Sequence, residues 1–290
     1  MKRKGELKYL FFFLTPSIIF LFLFQLLPIA YSLILSFSKW NIRTPAEFVG
    51  IDNYIELFQD KQFWSSVMHT FQYILMYVPL VIVGGMILAL LLSKKIRCQT
   101  FFKTSFFIPV ISSWVAVSLI WKGLFNPKFG YINQILSWIG IQGPAWLYDP
   151  KWAMPVIVFT SVWKDIGFIM VILLGGLNNI PNHLYEASLI DGATPWKQFW
   201  KITLPLLTPT LFFALMITLI NSFQIFDQVW IMTNGGPAGA TSVIVEQIYR
   251  NAFSYSRMGY AAAMSWVLFG LIFTISFFQN RYQKKWVFYS

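Results

Sequence analysis

Long apolar runs separated by short polar segments dominate this chain of 290 residues. A run of about 20 apolar residues predicts a helix that crosses a bilayer, because lipid offers no hydrogen-bond partners to an unpaired backbone. The runs fall at about 10–37, 71–92, 106–125, 154–177, 206–228 and 260–279. The pattern therefore predicts an all-α integral membrane fold of six transmembrane helices, forming one domain over residues 1–290 with no soluble domain.

The first run follows Lys2-Arg3-Lys4, which is also how a secretory signal peptide begins. The apolar part of a cleavable signal spans about 7–15 residues, and this run is nearly twice as long. We therefore expect the run to be retained as the first transmembrane helix.

Composition agrees with a membrane protein and bears on its partners. The chain is 57% hydrophobic and 11% charged, whereas soluble domains carry about 25% charged residues. A formal net charge of +11 would suit a nucleic-acid-binding surface, but the basic residues flank the apolar runs. They therefore indicate orientation and contact with membrane lipid, and we expect no nucleic-acid partner. The single cysteine, Cys98, excludes an internal disulfide.

The distribution of Lys and Arg predicts the side of the membrane that each loop occupies. With a cytoplasmic N-terminus, thirteen of the 22 Lys and Arg residues lie in inside segments and seven lie in outside loops. Positive charge is enriched on the cytoplasmic side of membrane proteins. The count therefore predicts that both termini are cytoplasmic, together with the segment between the fourth and fifth spans.

That segment, at about 181–205, is polar and contains signals for a short helix and a turn. Asn182 is a candidate N-cap for a helix over about 183–190. Gly192 then permits a sharp turn, because glycine adopts a left-handed backbone conformation at little cost. These features predict one short helix followed by a tight turn.

A second short helix is predicted after the turn. Pro195 suits the first turn of a helix, and we expect this helix to reach about Ile202 before Leu204-Pro205 breaks it ahead of the fifth span. We call residues 181–205 the elbow. One interpretation is an amphipathic loop at the membrane interface, because aromatic and basic side chains suit the headgroup layer. Those side chains are Trp196, Phe199, Trp200 and Lys201.

The elbow also carries a distinctive spacing: Glu186-Ala187-Ser188, then Gly192, then Ile202 and Leu204-Pro205. This spacing resembles the cytoplasmic signature of binding-protein-dependent ABC importer permeases, with Ser188 in place of a second alanine. The resemblance implies an ABC importer type I permease bundle in a bacterial plasma or inner membrane. It also implies that the elbow couples to a partner ATPase through Glu186, Ala187, Ser188, Asp191 and Gly192.

Other segments extend the likeness over most of the chain. They are Phe48-Val49-Gly50-Ile51-Asp52-Asn53-Tyr54, Trp163-Lys164, Gly167-Phe168, Phe226-Asp227 and Thr233-Asn234-Gly235-Gly236-Pro237. They resemble carbohydrate-uptake permeases of the maltose, raffinose and glycerol-3-phosphate type. The resemblance implies a complex with a second homologous permease subunit, two ATPase subunits and an extracytoplasmic solute-binding protein. The transported sugar would be a di- or oligosaccharide, with glycerol-3-phosphate, a polyol or an acidic saccharide as alternatives.

Polar side chains inside the spans indicate where a substrate would bind. Such groups are costly in lipid and are expected to face an interior cavity. Two stripes at helical spacing meet this description. They are Ser161, Lys164, Asp165 and Phe168 in the fourth span, and Thr218, Asn221 and Ser222 in the fifth. The resemblance implies that six of these residues line a sugar pocket, with polar groups for the hydroxyls and an aromatic ring for the CH face, and the stripe adds Asn221 as a further candidate.

Two other interpretations of these polar residues stay open. Lys164 and Asp165 could only snorkel or pair with other charges in the complex. Asn221, Gln224 and Gln228 could be hydrogen-bond contacts between helices.

No catalytic motif accompanies these features. His69 and His183 are far apart in sequence, and neither an HExxH nor a GxxxxGK[ST] segment occurs. We therefore expect no enzyme activity, metal or other cofactor in this chain, and ATP and Mg²⁺ on the partner ATPase. The rival classes are an integral membrane enzyme and a proton-coupled secondary transporter with Asp165 and Asp227 as relay groups. The latter usually shows internal repeats, which are not evident in this sequence.

Overall fold

The structure, a computed structural model, describes residues 2–94, 97–284 and 286–288, with side chains from residue 11 onwards. Lys95 and Lys285, which entered the charge count, lie outside the described residues. The same is true of the side chains of Lys2, Arg3, Lys4 and Lys8.

Helices account for most of the described residues. In chain order they are α1 Lys2–Leu21, α2 Leu27–Ser36, α3 Asp52–Gln59, α4 Lys61–Ser93, α5 Gln99–Ile111, α6 Trp114–Leu124, α7 Tyr131–Trp138, α8 Pro150–Asn178, α9 Asn182–Ile190, α10 Pro195–Gln198, α11 Leu204–Phe223, α12 Asp227–Met232, α13 Ile244–Tyr249 and α14 Met258–Gln283. Shorter helical turns are a 3-10 turn at Trp146–Tyr148 and π turns at Phe22–Leu26, Phe199–Thr203 and Arg250–Ser254. Two short strands, β1 Ser38–Lys39 and β2 Glu47–Phe48, pair antiparallel.

Within the described part of the chain, five helical stretches are long and apolar enough to cross a membrane. They are Phe11–Ser36, Lys61–Ser93, Pro150–Asn178, Pro195–Phe223 and Met258–Gln283. The number becomes six, as predicted, if α5 and α6 form one broken span, although their axes differ by 100°.

The third predicted span, 106–125, is therefore interrupted rather than continuous. Between α5 and α6, Ser112 and Ser113 have extended backbones with ψ of 146° and 134°. Because the helix stops at these extended residues, the Val110 carbonyl does not receive the N–H bond that a continuous helix would supply. The Lys164 ammonium group of α8 donates to that carbonyl instead, at 3.0 Å. Hydropathy did not reveal the break because the stabilising donor comes from another helix.

The elbow differs from its prediction at two points. The expected break at Leu204-Pro205 is wrong, because Pro195–Phe223 is one helical run that passes through the π turn Phe199–Thr203 into α11. Pro205 comes directly after that π turn, as the second residue of α11. Asn182 is also not the N-cap of α9. Pro181 occupies that position without a side-chain cap, and Asn182 is already helical.

The far end of the fifth span is shorter than predicted. α11 ends at Phe223 rather than at residue 228, and the chain resumes a helix only at Asp227. Gln228 therefore belongs to α12, from where its amide donates to the Ser161 hydroxyl oxygen of α8 at 3.3 Å. The non-helical link 224–226 therefore lets Gln228 reach α8.

Contacts divide the chain into two compact units, residues 1–63 with 247–269 and residues 64–246 with 270–290. The assignment of one permease domain to the whole chain stays a prediction.

In the first unit, the buried Asn53 amide donates to the carbonyls of Ser36 and Ser38 at 2.9 and 3.0 Å. The Tyr54 hydroxyl lies 2.7 Å from the Ser36 hydroxyl. These two residues therefore satisfy polar groups where α2 ends and β1 begins.

In the second unit, several helices pack directly on α8. A Cβ atom on Gly167 of α8 would collide with the Phe106 carbonyl of α5. A Cβ on Gly85 of α4 would lie 2.6 Å from Ile169 Cγ2, and a Cβ on Gly176 would lie 2.6 Å from Leu207 Cδ1 of α11. Because α4, α5 and α11 approach this closely, polar side chains on α8 meet protein rather than lipid.

Candidate functional site

A cavity of about 190 Å³ lies beside α8 in the second unit. Side chains of α4, α6, α8, α11, the link after α11 and α12 form its walls. They are Tyr73, Tyr77, Trp114, Asp165, Phe168, Ile169, Ile217, Thr218, Asn221, Ser222, Gln224, Ile225, Phe226, Asp227 and Gln228. A concave site with aromatic walls and several hydrogen-bonding groups suits a small polar molecule that also has apolar faces.

A larger cavity of about 450 Å³ lies in the first unit, next to the β1–β2 hairpin. Some of its charged groups already pair with each other, as Arg257 does with Glu56 at 2.5 Å. None of the described residues that line it belongs to the sequence-predicted pocket. We therefore take the smaller cavity as the candidate site.

The structure divides the seven sequence-predicted pocket residues into two groups. Two of them, Ser161 and Lys164, lie behind the cavity wall. Ser161 is fully buried, and its hydroxyl donates to the Ile157 carbonyl at 2.8 Å. The other five line the cavity: Asp165, Phe168, Thr218, Asn221 and Ser222.

Lys164 is held by groups of its own chain. Its ammonium group donates to the Val110 carbonyl, lies 4.6 Å from the centroid of the Trp114 ring and is 4.0 Å from Asp165 Oδ1. A cation over an indole face is attracted by the electrons of the ring. The side chain thus stabilises the break between α5 and α6, and it holds Trp114 where the indole can form part of the cavity wall.

One wall comes from Tyr73 and Tyr77, which the sequence analysis missed. Their rings stack at a centroid distance of 5.1 Å, because residues four apart share a helix face. The Tyr77 hydroxyl donates to Asp165 Oδ2 at 2.8 Å and so orients that carboxylate. The spacing of the two tyrosines was the only available signal, and in an apolar helix it does not distinguish a cavity wall from a lipid-facing surface.

The hydroxyl groups of α11 are also partly committed. The Thr218 hydroxyl donates to the Ala214 carbonyl at 2.7 Å, and the Ser222 hydroxyl donates to the Thr218 carbonyl at 2.5 Å. A hydroxyl has one hydrogen to donate and two lone pairs that accept. Both groups therefore offer acceptors rather than donors to the cavity, whereas the amide of Asn221 can donate as well.

The elbow is a helix-turn-helix, as predicted, and its turn is a Schellman motif. The Ala193 N–H donates to the Ser188 carbonyl at 2.9 Å, and the Gly192 N–H donates to the Leu189 carbonyl at 3.0 Å. Gly192 has a φ of +73°. Most L residues adopt this left-handed conformation only at a cost of about 1–2 kcal/mol. Glycine at this position therefore sets the angle between α9 and α10.

Ser188, which replaces the second alanine of the resembled signature, ties the two helices of the elbow together. The Gln198 amide of the second helix donates to the Ser188 hydroxyl oxygen at 2.8 Å. The Tyr185 hydroxyl lies 3.0 Å from the Thr203 hydroxyl and adds a second link. An alanine at 188 would lack the first of these bonds.

The surface of the elbow is unusually apolar. Leu189, Ile190 and Trp196 are 63%, 88% and 72% exposed. The residues for which the resemblance implied ATPase coupling are also at the surface, since Glu186, Ala187, Asp191 and Gly192 are exposed and Ser188 is half-buried. Neighbouring exposed apolar side chains are typical of a surface that another protein or a membrane covers.

The start of α11, next to the elbow, is braced by Phe288. Pro209 has no N–H, so the Pro205 carbonyl lacks its helical donor, and the Thr208 hydroxyl donates to it at 2.6 Å. The Phe288 N–H donates to the same hydroxyl oxygen at 3.0 Å. Phe288 and Leu184 of α9 also line a small apolar cavity. The segment after α14 therefore contacts both the elbow and α11.

Apolar spans, a polar cavity among packed helices and an exposed elbow between two spans define an integral membrane protein of the permease class. The chain belongs to the family described as binding-protein-dependent transport system inner membrane component, which it matches over residues 54–288. The family prediction made from the elbow spacing is confirmed.

Three comparisons illustrate the similarity. The chain is 35% identical to the probable ABC transporter permease protein YurN of Bacillus subtilis, over 94% of this chain and 95% of that protein. It is 35% identical to the lactose transport system permease protein LacF of Rhizobium radiobacter, over 92% of this chain and 91% of that protein. A solved chain from a bacterial ABC transporter involved in the import of the acidic polysaccharide alginate superposes with a TM-score of 0.88. That chain is 25% identical, over 98% of this chain and 99% of its own length.

Proposed function

We propose that this chain is a transmembrane permease subunit of an ATP-driven, binding-protein-dependent importer that moves a di- or oligosaccharide into the cytoplasm by alternating access. The observation that carries the proposal is the cavity. It combines aromatic faces with hydroxyl, amide and carboxylate groups, in a member of this permease family. Relatives named for lactose transport and for trehalose and maltose transport support a sugar as the substrate.

The topology is part of the proposal. The subunit is one permease domain of six spans with both termini in the cytoplasm of a bacterial cell and with the broken α5–α6 pair as the third span. The excess of Lys and Arg on one side supports this orientation. It places the elbow on the cytoplasmic face of the plasma or inner membrane.

Within the cavity, the proposed substrate contacts are Asp165, Phe168, Thr218, Asn221 and Ser222. Phe168 covers an apolar CH face of a sugar ring, and the polar groups bind its hydroxyls. Ser161 and Lys164 act indirectly, because Ser161 holds Gln228 and Lys164 holds Trp114. Tyr73, Tyr77 and Gln228 join the set because they line the same cavity.

The elbow is the proposed contact with the ATPase. Glu186, Ala187, Ser188, Asp191 and Gly192 would lie in that interface together with Ile190 and Trp196, whose exposure supports the assignment. The complete complex contains a second homologous permease subunit, two ATPase subunits and an extracytoplasmic solute-binding protein. ATP and Mg²⁺ bind the ATPases, and this subunit has no catalytic role and no cofactor.

The test is uptake by the complete complex in proteoliposomes, with the binding protein outside and ATP inside. The panel contains lactose, maltose, trehalose, raffinose and glycerol-3-phosphate. We expect ATP-dependent uptake of a saccharide that a proton uncoupler does not reduce. Uptake that survives without the ATPase and collapses with the uncoupler would identify a secondary transporter instead. Uptake of glycerol-3-phosphate alone would move the chain to the alternative substrate class.

A substitution at Phe168 tests the site within this assay. Phe168→Ala should reduce sugar uptake about tenfold, because it removes an aromatic contact to the sugar ring. The matched control is Phe159→Ala on the same helix, since Phe159 is 52% exposed and does not line the cavity. Equal losses in the two variants, at equal amounts of assembled complex, would contradict the proposed site.

A further inference from the structure

We infer that the cavity selects saccharides without a negative charge, and that Asp165 is the main residue that disfavours uronic acids and phosphorylated polyols. The inference rests on the proposed function, and it chooses between the substrate classes that the function leaves open. It is argued from two carboxylates at the cavity, from the hydroxyls of α11 and from Lys164, whose ammonium group is bonded to the Val110 carbonyl.

The charged groups that line the cavity are both acidic. Asp165 comes from α8 and Asp227 from the first turn of α12. Among the described residues that line the cavity there is no lysine, arginine or histidine. The Asp165 side chain is 26% exposed, and it is held in place by the Tyr77 hydroxyl.

Lys164 does not supply the missing cation. Its side chain is only 5% exposed and, unlike Asp165, it does not line the cavity. Its ammonium group donates to the Val110 carbonyl and lies over the Trp114 ring. The ammonium group is close enough to Asp165 to weaken the field of that carboxylate, but it has no direct path to an anionic substituent of a ligand in the cavity.

The neutral groups reinforce the same preference. The hydroxyls of Thr218 and Ser222 donate to their own helix and keep only acceptor lone pairs for a ligand. Together with the carboxylates of Asp165 and Asp227 they form acceptors that need donors from the ligand, whereas the amide donors that line the cavity, such as Asn221, carry no charge. The hydroxyl groups of a neutral sugar, or an amino substituent, provide such donors. A carboxylate or phosphate provides none, and it adds a like charge.

The similar solved transporter shows that the fold itself does not impose this selection. That transporter is described as importing an acidic polysaccharide, and it superposes closely on this chain. The arrangement of helices therefore does not exclude an acidic substrate, and we assign the charge preference of this subunit to side chains at the cavity. Asp165 is the lining carboxylate whose position is fixed by contacts with both Tyr77 and Lys164.

The experiment measures uptake by the complete complex of a neutral disaccharide from the panel and of its counterpart with one glucuronic acid ring. Each measurement uses the same binding protein at matched occupancy by the two sugars. The readout is the ratio of uronate uptake to neutral uptake. Comparing this ratio between variant and wild type cancels the preference of the binding protein itself. A disaccharide containing glucosamine serves as the cationic probe.

Asp165→Asn should raise the uronate-to-neutral ratio. Repulsion between like charges about 6 Å apart corresponds to roughly a hundredfold at the dielectric constant typical of a protein surface. The Asp165 side chain is 26% exposed, so water and salt screen part of this repulsion, and we expect about a tenfold increase. Asp227→Asn should raise the ratio less, because Asp227 is exposed whereas Asp165 is half-buried, so water and salt screen the Asp227 charge more strongly. Glu47→Gln, which removes an exposed carboxylate outside the cavity, should leave the ratio unchanged.

Wild-type complex that takes up the uronate as fast as the neutral sugar would overturn the inference, as would an unchanged ratio in Asp165→Asn. Preferred uptake of the glucosamine disaccharide over the uronate would support it, and the reverse order would overturn it. This wild-type comparison still decides the matter if a variant does not assemble. Failure to transport any saccharide would instead refute the proposed function, so the two failures are distinguishable.

Discussion

The elbow and the cavity involve the same two helices, α8 and α11, but they are built from contacts of very different range. Side-chain hydrogen bonds that shape the elbow join residues 10 and 18 apart in sequence, as in Gln198 with Ser188 and Tyr185 with Thr203. Those that shape the cavity join residues 54, 67 and 88 apart. The elbow can therefore form from its own segment, whereas the cavity exists only after several helices have packed.

The two regions also differ in what they leave exposed. The elbow presents large apolar side chains at its surface, which is typical of a surface that another protein or a membrane covers. The cavity presents polar groups, and several of these are already satisfied by neighbouring helices. Ten residues separate Phe168 in the cavity from the end of α8 at Asn178, which is roughly 15 Å of helix. A rigid helix of that length can transmit movement of the elbow to the cavity.

The largest expected effect comes from the turn of the elbow. Gly192→Pro should lower the rate of sugar uptake at least tenfold. Proline fixes φ near −65°, and it removes the N–H that donates to the Leu189 carbonyl. We expect the cavity to stay intact. The assembled complex should therefore still bind sugar, but its ATP hydrolysis should no longer drive transport. The measurement is the ratio of sugar transported to ATP hydrolysed.

Gly192→Asn is the matched control for this experiment. Asparagine tolerates the left-handed conformation better than other L residues, and a Cβ at this position meets no atom within 4 Å. The variant should therefore retain most of the coupling. If the proline and asparagine variants transport equally well, the turn does not set the geometry of an ATPase contact.

A second substitution separates assembly of the cavity from binding in it. Lys164→Met should destabilise the complex by about 1–3 kcal/mol, because it leaves the part-buried Val110 carbonyl without its side-chain donor. We expect a lower midpoint of thermal unfolding in detergent, which Phe168→Ala should shift much less. Lys122→Met is the control, because Lys122 makes the same type of bond to the Ile231 carbonyl at 2.8 Å in an exposed setting where water can replace it. Equal stability of the two lysine variants would argue against a stabilising role for Lys164.

The range of contacts explains what the sequence could predict. The elbow was predictable as two short helices around Gly192, because local spacing and backbone preference determine it. Its errors, the break at Leu204-Pro205 and the N-cap at Asn182, concern helix ends, where a π turn or a preceding proline changes the outcome. The stripe on α8 was also visible as residues at helical spacing.

The remaining features of the cavity depend on tertiary contacts that periodicity does not report. Helical spacing placed Ser161 and Lys164 on the same face as Asp165, yet contacts with α5 and α12 draw both behind the wall. The break between α5 and α6 depends on a donor that lies far away in sequence. Tyr73 and Tyr77 became candidates only when α4 was seen to pack against α8.

The smallest expected effect tests whether the elbow is stabilised as locally as the structure indicates. Ser188→Ala restores the alanine of the family signature and removes the bond from the Gln198 amide. A hydrogen bond of this kind contributes about 1 kcal/mol to stability in a typical protein. Gln198→Ala should cost a similar amount, and the double variant should be no less stable than either single one, since both remove the same bond. The measurement is thermal stability of the complex, combined with the ratio of transport to ATP hydrolysis. Additive losses would mean that the two side chains act independently, and the bond between them would then not stabilise the elbow.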